Sequence, residues 1–442
     1  MSKFIKDYLF YTFIFLFVVL TIIISLYASG YRFNLSWPLK YNKILQKTGM
    51  IAVSTIPKNA FIYLDDKAEV NSFFSWKKNN YIKTPNKIKN VLPGEYKVRF
   101  EEKGYWPFEK KITIYSGQTT FLEDINLFRS DLPLTVIESK ADTISLSPNK
   151  KYLYIKDTKK VLNLSTNQTY DFNAVTKDDF EWLNNGDRLF SDGLIYNFSK
   201  NSIDDLKKLV GQETKNWFYD KSNDRIYYQN NNTINYLTNN NTGSVLVRDG
   251  EEYLSFVSKS DHLFLISKKN TKLYLQDYSL KSQKIEQLID LPSVGNYHLS
   301  LEQNGIINLY DTKNKTLYLI KEDKFNEVRT LKNVVSWQWI NSQEFFYNNS
   351  WEIHHFNLTS NQDDLITRLG EIITKVIWNQ SNNYLIFSTD KKINAIDLKS
   401  GASTNLLTAD KINDTWLDEK NNLIYFSAKI GEQDRVYKMI TQ

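Results

Sequence analysis

Hydrophobic and polar positions follow three different patterns along the chain. From Tyr8 to Tyr27 the run "YLFYTFIFLFVVLTIIISLY" is continuously apolar, broken only by hydroxyl residues and without a charge. A helix of that length spans the roughly 30 Å hydrocarbon core of a bilayer. A secretory signal carries a shorter apolar region, about 7 to 15 residues, so residues 8–27 read as a retained transmembrane helix behind a short tail at 1–7. Ala28-Ser29-Gly30 supplies the small residues of the alternative, a cleavage site. Tyr8 and Phe10 on one side and Tyr27 and Tyr31 on the other suit interfacial aromatic belts. Residues 28–48 then mix polar and aromatic positions around Pro38 without a sustained period and read as a stalk.

From Gly49 the pattern changes to alternation. In "LPGEYKVRFEEKGYWPFEKKITIYSG" Tyr96, Val98 and Phe100 fall on one face of an extended segment and Lys97, Arg99 and Glu101 on the other, with Pro93-Gly94 and Gly104 as turn signals. Ile112 and Ile114 repeat the alternation in the next strand. With "MIAVSTIP", "AFIYLDD", "TPNKIKNV" and "TTFLEDINLF", these short strands predict a small β-sandwich over residues 49–129. Ser54 and Pro57, Ile62 to Asp65, Thr84-Pro85, Pro93-Gly94-Glu95-Tyr96, Val98 and Lys103-Gly104-Tyr105 occur in the order and spacing of a PEGA domain, and the segment resembles that family. "YASGYRFN" before it is similar to the segment after the membrane span in PEGA proteins of some small-genome bacteria. The resemblance implies an exposed, non-catalytic module beside a membrane segment. The chain departs from the family in "KAEVNSFFSWKKNNYIK", where only a few residues are usual. Phe73, Phe74 and Trp76 with Lys77, Lys78 and Lys83 make this insertion a candidate contact loop for anionic headgroups or wall polymer; the alternative is that its aromatics fold back onto the protein.

The third pattern is a repeat. A unit of apolar strand, polar turn, second strand, short turn and third strand recurs at roughly 38 residues. Copies begin at Thr143 ("TISLSPNKKYLYIKDTKKVLNLS"), Phe180, Asn216, Tyr253, Tyr297, Val335, Lys375 and Asp414. Units of this length with three or four strands predict a β-propeller over residues 130–442, since one blade leaves an apolar face on each side that only a neighbour can cover. The expected fold is therefore all-β: an N-terminal transmembrane helix, a PEGA-like sandwich and a propeller of seven or eight blades, eight being preferred. Trp182, Trp217, Trp339, Trp378 and Trp416 recur in the first strands and are expected to pack between blades, with ligand stacking at the channel mouth as the alternative. "LSPNKKYLYI" resembles TolB-like and WD-like propeller repeats, although the full Ser-Pro pair occurs only at Ser147-Pro148 and the Trp-Asp signature is missing. "AIDLKSG" is similar to quinoprotein blades in a single copy.

Composition removes several chemistries. The chain has no cysteine, which excludes disulfides, thiol catalysis and Cys-held zinc or iron–sulfur clusters. Lys and Arg number 56 against 50 Asp and Glu, a net charge of +6 spread without a dense block, so no nucleic-acid partner is expected. His354 and His355 are adjacent, and on a strand they project to opposite faces; no metal and no cofactor is expected. Nucleophile elbow, phosphate loop, dinucleotide fingerprint and HExxH motifs are missing from the sequence. The function expected is that of a non-catalytic, single-pass membrane protein of the cell envelope whose extracytoplasmic domains bind a partner protein or an envelope polymer. The alternative is a propeller hydrolase or lyase acting on extracellular polysaccharide or peptide through axial carboxylates.

Overall fold

The structure is a computed structural model of the chain and describes residues 3–33, 44–70, 81–172, 180–183, 185–220, 224–231, 233–237, 242–247, 251–301 and 305–442. Helix α1 (Lys3–Ala28) opens it. Its stretch Tyr8–Ala28 is apolar and long enough to cross a bilayer, and none of that stretch is buried in the protein. The Thr12 and Thr21 hydroxyls donate to the carbonyls of Tyr8 and Phe17, each at 2.8 Å, so neither polar group is left unpaired on an apolar surface.

Little separates this helix from the next unit. Strands β1 (Tyr31–Phe33) and β2 (Leu45–Lys47) pair as a short antiparallel ribbon, and the Thr48 N–H donates to the Gly30 carbonyl at 2.8 Å.

The sandwich follows. Gly49–Ile56 is the middle strand of one sheet, antiparallel to Asn86–Val91 and parallel to Thr119–Asn126. The second sheet has the order Lys67–Ala68, Phe61–Leu64, Gly94–Glu101, Phe108–Ile114. The alternation read from the sequence is the one the packing uses. Val98, Phe100, Phe108, Ile112 and Ile114 are buried against Ile51, Val53 and Ile62 of neighbouring strands, and the rings of Phe100 and Phe108 stack with centroids 5.3 Å apart. The opposite face is polar but organised: Lys97 pairs with Glu109 at 3.0 Å, and the Arg99 guanidinium lies 4.3 Å over the Tyr63 ring. Gly49 is held by close approach, since a Cβ there would lie 2.5 Å from Ile114 Cγ2 and 2.6 Å from the Tyr115 carbonyl.

Eight four-stranded antiparallel sheets among the described residues make the propeller. Blades 1 to 7 span 144–171, 181–205, 215–247, 252–291, 297–331, 336–368 and 373–408. Blade 8 takes three strands from the C-terminal segment, Lys411–Asp418, Leu423–Ile430 and Gln433–Ile440, and its fourth from Leu134–Ile137, which pairs antiparallel to Gln433–Ile440. The ring is thus closed by strands more than two hundred positions apart in sequence, with Ile144, Leu146 and Leu153 of blade 1 packed against Tyr425 and Val436 of blade 8. The sheets resolve the expected seven or eight blades to eight.

The sandwich is fastened to the end of this ring. Asn126, 3% exposed, and Asp397, 1% exposed, meet where the last sandwich strand reaches blade 7. The backbone and side-chain amides of Asn126 both donate to Asp397 Oδ2, at 3.1 and 2.8 Å, and the side chain donates again to the Asn382 carbonyl at 2.9 Å. Gln442 donates to Asn126 Oδ1 at 2.6 Å. Phe128 is buried with blade 7 and 8 residues and meets the Tyr384 ring edge-on at 5.1 Å. Outside this core, Lys399 pairs with Asp124 at 3.1 Å, and Lys110 donates to the Ser400 carbonyl.

Candidate functional site: the axial cavity

The first strands of adjacent blades lie side by side and form the inner wall of the ring. All five first-strand tryptophans do the packing expected of them. Trp182 is buried among Tyr152, Tyr196 and Phe198 and donates from Nε1 to Ser145 Oγ at 3.0 Å. Trp378 packs with Phe346 and Leu385, Trp339 against Phe345 with centroids 4.7 Å apart, and Trp416 beneath the Lys375 ammonium at 4.1 Å.

Trp217 also packs between blades, on Phe190 of blade 2 with ring centroids 6.3 Å apart, but in addition it faces open space. It is half-buried, stacks on Tyr228 at 5.1 Å with 27° between the planes, and lines a cavity of about 890 Å³ walled chiefly by blades 2 to 5. Its indole N–H is covered and has no hydrogen-bond partner, as is also true of Trp339 and Trp378. Gly193 makes this position possible: the residue sits at φ +81°, and a Cβ would come within 2.8 Å of the indole ring. Phe180, Phe218 and Tyr297 extend the aromatic lining.

Polar groups interleave with these rings. Ser258 donates to the buried Asp220 carboxylate at 2.5 Å, and Lys207 pairs with Asp192 at 2.6 Å. His298 reaches the same space and is exposed. Burial pushes the Tyr297 phenol up to about 12, assisted by Tyr318 and the Asp311 charge. It therefore stays neutral, with its O–H donated to the Pro292 carbonyl at 3.0 Å. Aromatic faces beside hydrogen-bonding edges are what a ring-bearing or amide-bearing polymer needs for stacking and orientation. The Ser258 hydroxyl faces a carboxylate, not an imidazole; the hydrogen bond anchors the inner strands of blades 3 and 4.

The contact-loop residues Phe73, Phe74, Trp76, Lys77 and Lys78 lie outside the described residues. Their flanks are described: Val70 bridges Tyr81, the Tyr81 ring meets Phe61 edge-on at 5.9 Å, and the Lys83 ammonium lies 4.2 Å over the Phe61 ring. The insertion therefore leaves and rejoins the sandwich at one place on its sheet edge. His354 and His355 do project oppositely: His354 stacks on Tyr347 between Asp363 (2.9 Å) and Glu352 (3.1 Å), while His355 packs on Phe346. The cavity-lining role of Asp220, Ser258 and Tyr297 was not read from the sequence. Aligning the repeats marks a carboxylate or amide closing the first strand, at Asp220, Asn379 and Asp418, but not which of them opens onto a cavity.

Residues 48–126 match the PEGA domain family, so the sandwich is a PEGA domain. No curated protein sequence matches the chain. Among solved structures, the chain is similar to the Dos1 propeller at 10% identity, covering 71% of this chain and 96% of that one with a TM-score of 0.45. A structure titled as the eukaryotic initiation factor aligns at 10% identity over 65% of this chain and 81% of that one, TM-score 0.46. Hsv2p of Kluyveromyces lactis aligns at 11% identity over 49% and 72%, TM-score 0.34.

Proposed function

We propose that the chain is a non-catalytic receptor of a bacterial cell envelope, held by α1 as a single-pass anchor with the PEGA domain and the propeller outside the membrane. The axial cavity takes an envelope polymer or an extended segment of a partner protein. The observation that carries this reading is the half-buried Trp217, which besides packing on Phe190 of blade 2 is set with Phe180, Phe218 and Tyr297 among polar groups in a cavity of about 890 Å³. The direct hydrogen bond from Thr48 to Gly30 supports a membrane-proximal PEGA domain, because it leaves no long tether after the helix. The insertion carrying Phe73, Phe74, Trp76, Lys77 and Lys78 is a second contact, for anionic headgroups or wall polymer, since apolar anchors flanked by lysines suit such a surface.

The reading is tested by protease shaving of intact cells making the full chain, with released peptides mapped along residues 49–442. Release of peptides from both β domains is expected. Full protection until the membrane is breached, followed by ready cleavage, contradicts it.

A further inference from the structure

Next to the axial cavity, with Lys259 and Ser260 common to both walls, blade 4 brings three metal-ligand side chains together from three strands. His262 begins the second strand (His262–Lys269), Asp277 lies on the third (Lys272–Ser279) and Glu286 on the fourth (Lys284–Leu291). One donor atom from each lies within 4.8 Å of the other two. Register brings this about. Across the last two strands Asp277 faces Gln287 and Tyr278 faces Ile285, so Glu286 is the extra residue of a β-bulge. Such a bulge re-aims a side chain, and here Glu286 joins the side occupied by Asp277.

The surroundings favour a cation. The three residues open into a smaller neighbouring cavity of about 360 Å³ whose wall also holds Gln287, and Glu322 and Asp323 from the blade 5 segment. Lys259, the ammonium in that wall, is engaged by both oxygens of Glu322 at 2.7 and 2.9 Å. Asp277, Glu286 and Asp323 then carry negative charge in a chain whose net charge is +6. The Asp277 side chain is 2% exposed.

We propose that His262, Asp277 and Glu286 form a binding site for a six-coordinate first-row divalent cation of the manganese(II) type, clamping blade 4 beside the start of blade 5's outer strand. This departs from the expectation, drawn from His354 and His355, that the histidines hold no metal. The donor set selects the class. One nitrogen and two carboxylates suit such a cation better than calcium, which takes oxygen ligands at longer distances. Gln287, 3.4 Å from Asp277 Oδ2 and 2.9 Å from the Glu322 carbonyl, orients the Asp277 carboxylate and bridges the two blades.

The test is titration of EDTA-treated, detergent-purified full chain with manganese(II) chloride, following free ion by its electron paramagnetic resonance signal. One saturable equivalent is expected, retained against calcium at the same concentration, lost in His262→Ala and in Asp277→Asn. Glu286→Gln, at an exposed position where folding is not at stake, weakens binding by at least tenfold. Gln287→Ala, acting through Asp277, weakens it by about 10- to 100-fold. Absence of saturable binding in the wild-type chain, or binding that survives Glu286→Gln and His262→Ala unchanged, overturns the assignment.

Discussion

The joint between the PEGA domain and blades 7 and 8 and the cavity walled by blades 2 to 5 both set polar groups of propeller strands beside aromatic rings, but they use them oppositely. At the joint both side-chain polar atoms and the backbone N–H of Asn126 find protein partners in Asp397, Asn382 and Gln442. Phe128, two residues further on, is buried among blade 7 and 8 residues. In the cavity Trp217, Phe218 and Tyr297 are only partly covered and face open space. A fully satisfied buried network specifies one arrangement and is costly to disturb. An aromatic wall with spare polar groups costs little to alter until something binds it. On the proposed reading, the difference separates the part of the ring that holds the PEGA domain from the part offered to a ligand.

Breaking the joint gives the largest effects. Phe128→Ala opens a cavity between the two domains and is expected to cost about 3–5 kcal/mol, read as loss of cooperativity between the PEGA domain and propeller in thermal unfolding. Asp397→Ala strands two donors of Asn126 in a buried site and is expected to cost about 2–3 kcal/mol, measured by denaturant unfolding. By contrast, Trp217→Ala leaves the global midpoint within about 1–2 kcal/mol of wild type, because the ring is only half-buried, while abolishing capture of the cavity's ligand. A Trp217→Ala chain that unfolds as early as Phe128→Ala would make the indole a packing residue only and erase the contrast.

The smallest effect concerns blade 6 and pH. Hydrogen bonds from Asn349, His354 and Arg368 hold Glu352 at about 2, below its ordinary value of 4.5. A folded value below the unfolded one contributes stability that is complete above about 4.5 and disappears as pH falls through about 2. Acid unfolding of Glu352→Gln should therefore lack the part of the wild-type decline between those limits. An unchanged profile would show that those hydrogen bonds do not favour the charged carboxylate.

Much of the architecture was legible because it depends on period. The alternation through Tyr96, Val98 and Phe100 marks the PEGA strand and its inward face, and the eight copies beginning at Thr143 mark the blades. What period could not reveal was topology. The strand Leu134–Ile137 looks like a link between domains, yet it completes blade 8 by pairing with strands at the far end of the sequence. The cavity was hidden for a related reason. Trp182, Trp217 and Trp378 occupy equivalent places in their repeats, and only the φ +81° glycine at 193 and the openness of the wall beside blade 3 make Trp217 different. His262, Asp277 and Glu286 escaped a spacing search because antiparallel register and a bulge assemble them, while the adjacent His354 and His355 drew notice and diverge.

The most direct test of the division between joint and cavity is site-specific photo-crosslinking in intact cells. A photoreactive residue is placed in turn at Trp217 and Tyr297 in the cavity and at Leu365, exposed on the outer strand of blade 6. Discrete adducts to one envelope polymer or protein from both cavity positions, with none from Leu365, are the result expected of a cavity that recognises a ligand. Adducts from Leu365 alone, or the same adducts from all three positions, would contradict it.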